Sequence, residues 1–292
     1  MHHETFERPG PFGDPIRGDI RVPDDGDPST AVVVVHGFKG FKDWGFFPHL
    51  ARELAQAGHA AVTFDFSLNG TRAGAEDLVD LEAFARNTFT RELEELRWVL
   101  RLVAQGELLA PAPHALGLLG HSRGGGTAIL AAREEDDVTS LVTWASVATF
   151  DRWDDATKDR WRASGRTHTR NARTGQDLPL DRTLLEDLEA NPQRLDVEAA
   201  AREVEVPWLV VHGSEDESVA ESEGQLLAQV APWGRLARVE GAGHTFGASH
   251  PFREIPPHLG CALRSTLLHF RRSLLEDSQG VRDTEAGESV EG

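Results

Sequence analysis

Residues 115–126 read ALGLLGHSRGGG, and this stretch decides the fold. Its beginning, residues 115–119, is an apolar run typical of a strand covered on both faces. Its end is a glycine-rich helix start, so the strand would enter the helix through a sharp turn that carries the pattern G-x-S-x-G at residues 120–124. Such a turn holds its serine at unfavourable backbone angles, and the flanking glycines remove side chains that would clash. The sequence therefore predicts that Ser122 is a nucleophile projecting above a sheet.

Apolar runs and amphipathic stretches alternate on both sides of Ser122. Further apolar runs lie at residues 31–35, 60–66, 141–145 and 207–211. Between them, apolar residues recur every three or four positions from Phe89 to Val103, which predicts a helix with one apolar face. No internal repeat is visible. Strands that alternate with helices predict an α/β fold with a mostly parallel, doubly wound sheet.

Two segments interrupt this alternation and set the predicted domain limits. Residues 150–200 contain no good buried strand, and we interpret them as an inserted cap with a hairpin around residues 165–180. Residues 276–292 are acidic with almost no apolar side chains, which predicts a disordered tail. The α/β core is then formed by residues 1–149 and 201–275.

The composition is that of a globular protein, since 39% of the 292 residues are hydrophobic and 27% are charged. The net charge of −18 repels nucleic acid and anionic lipid, so neither is an expected partner.

No apolar run is long enough for a membrane span and the polar start offers no signal peptide, so we expect a cytoplasmic protein. The single Cys261 cannot form an internal disulfide, and no HExxH-like spacing occurs, so no metal site is predicted.

The basic residues are unusually poor in lysine, with only three lysines among the 30 Lys and Arg residues. This balance, together with the excess of acids, suggests adaptation to a salt-rich cytoplasm, although a GC-rich genome would also favour arginine. Unfolding in dilute buffer with recovery in molar KCl would support adaptation to salt, and stability that does not depend on salt would exclude it.

A serine hydroxyl needs a histidine to take its proton and a carboxylate to orient that histidine. In a doubly wound sheet such groups collect at the carboxyl ends of strands. Asp216 and His244 each follow one of the later strand-like segments, which gives the chain order nucleophile, acid, base. Asp151 or Asp154 is the alternative acid.

The other histidines near strand ends are expected to have structural roles. His36 and His212 each precede a glycine at a strand terminus, where hydrogen bonds to neighbouring loops are expected. His250 and His258 lie further from any strand end and are expected to cap or pack loops.

Two backbone N–H groups are predicted to form an oxyanion hole, because acyl transfer places negative charge on the former carbonyl oxygen. One belongs to Arg123, which follows the nucleophile at a helix N-terminus. The other belongs to Phe38, in the loop after the strand at residues 31–35. Because both predictions concern the backbone, the side chain of Arg123 should matter far less than that of Ser122.

Four short motifs together resemble the α/β-hydrolase family of serine hydrolases, namely HGF at 36–38, GHSRGG at 120–125, HGSED at 212–216 and GAGH at 241–244. The resemblance runs from about residue 18 to 273 and implies a sheet of about eight strands, a triad of Ser122, Asp216 and His244, and acyl hydrolysis without a cofactor. The chain is most similar to esterases and dienelactone-hydrolase-like proteins, including cinnamoyl esterases that carry a small inserted subdomain. The serine nucleophile disfavours the reactions of dienelactone hydrolases proper, which use cysteine, and of haloalkane dehalogenases, which use aspartate.

Substrate recognition is assigned to the predicted cap. Residues 158–173 hold six basic residues and one acid, and we hypothesise that Arg162 and Arg166 favour substrates with a carboxylate or phosphate. Alternatively, these arginines pair with acids on the same surface. Trp153 and Trp161 are aromatic candidates for lining the pocket, and packing in the core is the alternative role.

These features predict a serine hydrolase acting on a small-molecule carboxylic ester. A thioesterase or peptidase of the same fold is the nearest alternative, and a non-catalytic ligand-binding protein on the same scaffold is an alternative of a different class. The sequence leaves the oligomeric state open.

Overall fold

The structure is a computed structural model that describes residues 1–24, 28–72, 74–75 and 77–276. Within these ranges the strands are β1 (His2–Pro9), β2 (Pro15–Val22), β3 (Thr30–Val35), β4 (Ala60–Asp65), β5 (Ala115–His121), β6 (Val138–Trp144), β7 (Arg166–Arg170), β8 (Asp177–Asp181), β9 (Trp208–Gly213) and β10 (Gly234–Val239). The helices of the same ranges are α1 (Phe47–Gln56), α2 (Leu81–Ala85), α3 (Phe89–Ala104), α4 (Arg123–Glu134), α5 (Asp155–Ser164), α6 (Arg182–Ala190), α7 (Val197–Glu203), α8 (Glu221–Val230) and α9 (Pro257–Phe270), followed by a π-helical turn (Arg271–Glu276). No described helix is both long and apolar enough to cross a membrane. Beyond Glu276, the tail predicted for residues 276–292 lies outside the described residues.

Eight strands form one sheet in the order β1-β2-β4-β3-β5-β6-β9-β10. The two pairings of β2 are antiparallel, and every pairing from β4 to β10 is parallel. The predicted fold class, a mostly parallel α/β sheet of about eight strands, is therefore confirmed. The sequence pattern does not predict β1 and β2, because charged residues interrupt both strands and neither contains a continuous apolar run.

The strand β3 shows why the central strands are continuous apolar runs. Val33 and Val35 face a core cluster that α3, α4 and α7 cover, whereas Val32 and Val34 face a second cluster that α1 and α9 cover. All four side chains are at most 2% exposed. Since helices lie on both faces of the sheet, apolar residues occupy both sets of alternating positions.

The predicted amphipathic helix is α3, with Thr88 as its N-cap accepting a hydrogen bond from the Arg91 N–H at 3.3 Å. The apolar periodicity does not reveal that Glu92 and Glu95 are also buried, at 3% and 1% exposure. Glu92 pairs with Arg123 and Glu95 with Arg91. Burial raises the pKa of both carboxyl groups, and the arginine partners oppose that rise. The Glu92–Arg123 pair joins α3 to α4, and Glu95 joins α3 to the loop after β4 by accepting a hydrogen bond from the Ser67 N–H at 2.8 Å.

The segment between β6 and β9 contains α5, β7, β8 and α6, at the place where an insertion is predicted. β7 and β8 form an antiparallel hairpin in which Thr167 lies opposite Leu180. Leu178, Leu180 and Trp161 belong to the larger core cluster, so the insertion packs continuously onto the α/β core. Helix α7 crosses the predicted limit at residue 200, and it packs against α4 in the helical layer of the core.

The free energy of unfolding is expected to fall between about pH 7 and about pH 4 because of buried histidines. Burial lowers the pKa of His36, His59 and His269 to about 4 and that of His121 to about 3. In this range the unfolded chain binds protons at these histidines and the folded chain does not, so acid favours unfolding. Buried carboxyl groups act in the opposite direction, since burial raises the pKa of Asp65 to about 7 and also raises the pKa of Glu92 and Glu95, but these three groups are fewer than the four histidines.

The variant His59→Gln isolates one of these contributions. His59 is fully buried, and its Nδ1 lies 2.7 Å from the Thr30 Oγ1, a contact that glutamine can keep. The variant is expected to remove about 3 kcal/mol of the loss of stability between pH 7 and pH 4, as urea unfolding at the two pH values would measure. The exposed His168→Gln serves as the control and should keep the wild-type dependence. An unchanged pH dependence in His59→Gln would contradict the argument.

Candidate active site

Ser122 lies at the turn between β5 and α4, where the backbone has an unusual conformation. Its φ and ψ are 59° and −123°, a region that L-residues rarely occupy. The turn is so tight that a Cβ at Gly120 would lie 2.3 Å from the Gly124 carbonyl oxygen. A Cβ at Gly124 would lie 2.2 Å from the His36 carbonyl oxygen. The two glycines of the pattern are therefore required by the close approach of backbones.

His244 and Asp216 lie beside Ser122. The His244 Nε2 lies 2.9 Å from the Ser122 Oγ, and the His244 Nδ1 lies 2.8 Å from the Asp216 Oδ2. The three residues follow β10, β9 and β5, whose carboxyl ends meet at one edge of the sheet. The His244 side chain is 21% exposed and that of Asp216 is fully buried. The structure thus brings together the three side chains predicted as a triad, with spacings that permit proton transfer from Ser122 to His244.

Asp216 is surrounded by hydrogen-bond donors. Its Oδ1 accepts from the backbone N–H groups of Ser218 and Val219 at 2.8 and 3.0 Å, and the buried His212 Nε2 lies 3.5 Å from its Oδ2. Burial alone would raise the pKa of Asp216, but the contacts with His212 and His244 outweigh burial and hold that pKa below its usual range. An ionised Asp216 keeps a proton on the His244 Nδ1, so the Nε2 is free to accept one.

His121 holds the loop that carries His244. The His121 Nε2 lies 3.0 Å from the His244 carbonyl oxygen, and the two rings are in contact with centroids 4.8 Å apart. Burial and the neighbouring His244 lower the pKa of His121 to about 3. The neutral ring can therefore position the loop without adding a positive charge to the site.

The two predicted oxyanion donors border Ser122. Arg123 is the first residue of α4, where backbone N–H groups have no acceptor within the helix. In the described part of the chain the Phe38 N–H donates to no protein acceptor. A Cβ at Gly37 would lie 2.9 Å from the Ser122 Cβ, so the loop of Phe38 touches the nucleophile. The Arg123 guanidinium pairs with buried Glu92 and lies 4.1 Å from the centre of the Phe38 ring, which holds this loop against α4.

The alternative candidates have other partners. Asp151 pairs with Lys158, and Asp154 accepts a hydrogen bond from the Thr157 N–H at 2.6 Å and caps α5. The His36 Nδ1 lies 2.9 Å from the carbonyl oxygen of the next residue, consistent with its structural interpretation. Within the described ranges no group of three or more His, Cys, Asp or Glu residues could hold a metal ion.

Two pockets open on either side of Ser122 and share Phe38, Lys39, Ser122 and His244. The first, which we call the loop-side pocket, has a volume of about 300 Å³ and is also lined by Gly37, Gly40, Trp44, Phe47, His121, Thr245 and residues 170–173. The second, the cap-side pocket, has a volume of about 410 Å³ and is also lined by Phe89, Arg123, Val147, Phe150, Arg152, Trp153, Thr169, Leu180, Ser218 and Val219. Ser122 therefore lies where the two pockets meet.

The two predicted aromatic substrate residues differ in position. Trp153 lines the cap-side pocket. Trp161 is only 1% exposed, and its indole N–H donates to the Leu180 carbonyl oxygen at 3.0 Å. Trp161 therefore has the alternative position, packed behind Trp153 in the core.

The two predicted substrate arginines are paired within the protein. Arg162 pairs with Asp159 and Glu189, and Arg166 pairs with Asp181 and Glu82. Neither arginine is among the described residues that line the two pockets. The structure thus shows both arginines in the surface pairs that were the alternative, because α2 and α6 bring acidic partners to them.

Two residues that the sequence does not predict as part of the site, Lys39 and His212, also lie there. Lys39 lines both pockets, and His212 lies against Asp216. In the sequence, Lys39 directly follows the HGF motif, and His212 is the first residue of the HGSED motif. The sequence does not reveal which groups these two side chains contact in the fold.

Comparison with known proteins agrees with this fold. The sequence model of the alpha/beta hydrolase family matches residues 32–255. The esterase domain of a Rhodothermus marinus protein has 19% identity and a TM-score of 0.62, with 94% of this chain and 100% of that chain covered. Est1E from Butyrivibrio proteoclasticus has 16% identity and a TM-score of 0.68, with coverage of 92% and 98%. Dienelactone hydrolase from Anabaena variabilis has 15% identity and a TM-score of 0.62, with coverage of 94% and 98%.

A search of curated protein sequences finds no significant match. The family match nevertheless covers well over half of the chain, and it includes the turn of Ser122 and the loops of Asp216 and His244. This chain belongs to the alpha/beta hydrolase family.

Proposed function

We propose that this protein is a serine hydrolase that cleaves a carboxylic ester without a cofactor. The observation that carries the proposal is the chain of hydrogen bonds from Ser122 through His244 to Asp216, placed where two pockets meet. The esterase and hydrolase neighbours support the fold, and at their low identity the likeness concerns the fold alone. The choice of reaction therefore rests on the site.

In the proposed reaction the Ser122 Oγ attacks the ester carbonyl carbon while the His244 Nε2 takes the hydroxyl proton. The N–H groups of Phe38 and Arg123 stabilise the negative oxygen of the tetrahedral intermediate. His244 then gives its proton to the departing alkoxide, which leaves as an alcohol, and the acyl group remains on Ser122. Water then attacks the acyl carbon while His244 takes its proton, and the acid is released as His244 returns that proton to the Ser122 Oγ. Asp216 remains a carboxylate throughout.

A fluorophosphonate probe tests this proposal directly, because it phosphonylates only a serine that has been activated as a nucleophile. We expect the label on Ser122, located by peptide mass spectrometry. An unlabelled Ser122 would favour a non-catalytic binding protein. An ester, a thioester and an amide of one acyl group then separate the reaction classes. The highest kcat/KM is expected for the ester, and a preference for either other substrate would redirect the assignment to a thioesterase or a peptidase.

The variant Gly37→Ala is expected to lower kcat about tenfold to a hundredfold. Its Cβ would lie 2.9 Å from the Ser122 Cβ and 3.0 Å from the His121 carbonyl oxygen, so the loop of Phe38 must move away from the nucleophile. In the control Gly260→Ala on α9 the nearest atom to the added Cβ is 3.4 Å away, an ordinary contact. Equal kcat values in Gly37→Ala and Gly260→Ala would show that the position of this loop is unimportant.

A further inference from the structure

The two pockets beside Ser122 are lined by cations and by no described carboxylate. Five basic side chains line one or both pockets, and they are Lys39, Arg123, Arg152, Arg170 and Arg173. Among the described lining residues there is no Asp or Glu, although acidic residues outnumber basic ones by 48 to 30 in the whole chain. An anionic substrate would therefore meet no like charge on the walls of these pockets.

The four arginines already have acidic partners within the protein. The pairs are Arg123 with Glu92, Arg152 with Glu223, Arg170 with Asp177, and Arg173 with Asp77. Each of these guanidinium charges is largely compensated before a substrate arrives, so none is the first choice for binding an anion.

Lys39 differs from these arginines. Its Nζ donates a hydrogen bond to the Arg170 carbonyl oxygen at 2.7 Å, and no carboxylate of the described residues pairs with it. An ammonium group has three donors, so others remain available towards the pockets. Burial and the nearby Arg123 lower the pKa of Lys39, which is the sign of a cation without a compensating charge.

The backbone of Lys39 supports a role that needs this side chain here. Its φ is +63°, in the left-handed region where lysine is uncommon and glycine or asparagine is favoured. The side chain lies along the Phe38 ring, with the Nζ 5.2 Å from the ring centre, at the junction of the two pockets. The chain thus holds an uncompensated cation beside Ser122 in an unfavourable backbone conformation.

We propose that Lys39 binds a carboxylate carried by the ester substrate, so that anionic esters are preferred over neutral ones. This inference rests on the proposed function. A carboxylate fits better than a phosphate, because one uncompensated ammonium matches one negative charge, whereas a phosphate dianion calls for further donors or a forked guanidinium. Lys39 is then a specificity-determining residue, and it takes no part in bond breaking.

Two matched substrate pairs test the proposal, one for each side of the ester. Hydrolysis of 3-carboxyphenyl acetate is compared with that of 3-carbamoylphenyl acetate, and hydrolysis of methyl 3-carboxybenzoate with that of methyl 3-carbamoylbenzoate. The carbamoyl group keeps the size of the carboxylate and removes its charge. We expect a higher kcat/KM for the carboxylate in at least one pair, with a preference that declines as salt screens the charges.

The preference for the carboxylate is expected to fall about 10- to 100-fold in Lys39→Gln and to be partly kept in Lys39→Arg. Lys158→Gln is the control, since it removes the same charge from a lysine that pairs with Asp151 and lines neither of the two pockets. A purely structural role, in which Lys39 only ties its loop to Arg170, would lower kcat/KM equally for both members of a pair.

The outcomes separate this inference from the proposed function. Two results would overturn the role of Lys39 while the neutral esters are still hydrolysed. One is that neither pair shows a higher kcat/KM for the carboxylate, and the other is that Lys39→Gln leaves the ratio of carboxylate to carbamoyl kcat/KM unchanged. In both cases the hydrolase assignment stands. Failure to hydrolyse any of the four esters, together with an unlabelled Ser122 in the fluorophosphonate experiment, overturns the proposed function itself.

Discussion

Ser122→Ala is expected to lower kcat for ester hydrolysis about 10⁵- to 10⁶-fold while leaving the fold intact. The Ser122 Oγ is the only group at this turn that can form the acyl-enzyme, and its side-chain hydrogen bond in the structure is to the His244 Nε2 at 2.9 Å. Alanine accepts the same backbone angles as serine at about the same cost, so the loss would be chemical rather than structural. Steady-state kinetics together with a circular dichroism spectrum would measure both parts of the expectation.

A double variant tests more stringently whether the losses in kcat at Ser122 and His244 are independent. If Ser122 and His244 act as one unit, the double variant Ser122→Ala/His244→Ala should be about as slow as either single variant. Independent contributions would instead multiply. Ser164→Ala, which removes a hydroxyl from the cap away from both pockets, is the control and should retain wild-type kcat. Residual activity above about 1% in Ser122→Ala would mean that another group is the nucleophile.

Asp216→Asn is expected to lower kcat about 10⁴-fold. The Asp216 Oδ1 accepts two backbone N–H groups, from Ser218 and Val219, so the amide oxygen of asparagine would take this position. Its NH₂ group would then replace the Oδ2 and face the His244 Nδ1, donor against donor. His244 can relieve this conflict only by moving its proton to the Nε2, where it can no longer accept the proton of Ser122.

Glu215→Gln is the matched control, because Glu215 is the exposed neighbour of Asp216 and loses the same charge. Its kcat should remain close to that of the wild type. A loss in Glu215→Gln comparable to that in Asp216→Asn would indicate an effect of net charge rather than of the hydrogen bond to His244. Since the contacts with His212 and His244 hold the pKa of Asp216 below its usual range, titration of Asp216 should not shape the acid side of the wild-type pH–rate profile.

Sequence reasoning predicted the central strands and α3 because their signals are local. Strands β3 and β5 are continuous apolar runs, and α3 has a helical period of apolar residues. Sequence reasoning left alternatives open where a side chain's position depends on partners that are distant in the chain. Trp161, a candidate for the pocket or for the core, contacts Leu180. Arg166, a candidate for substrate binding or for surface pairing, pairs with Glu82, which lies 84 positions away.

The amino-acid sequence by itself determined the fold class and the turn of Ser122, and it placed Asp216 and His244 after successive strands in the required order. Backbone sterics and apolar periodicity act over a few residues, so they can be recognised without coordinates. Only the tertiary structure decided which charges are compensated. It gives Arg162 and Arg166 acidic partners and leaves Lys39 without one among the described residues, because pairing depends on which helices and loops pack together.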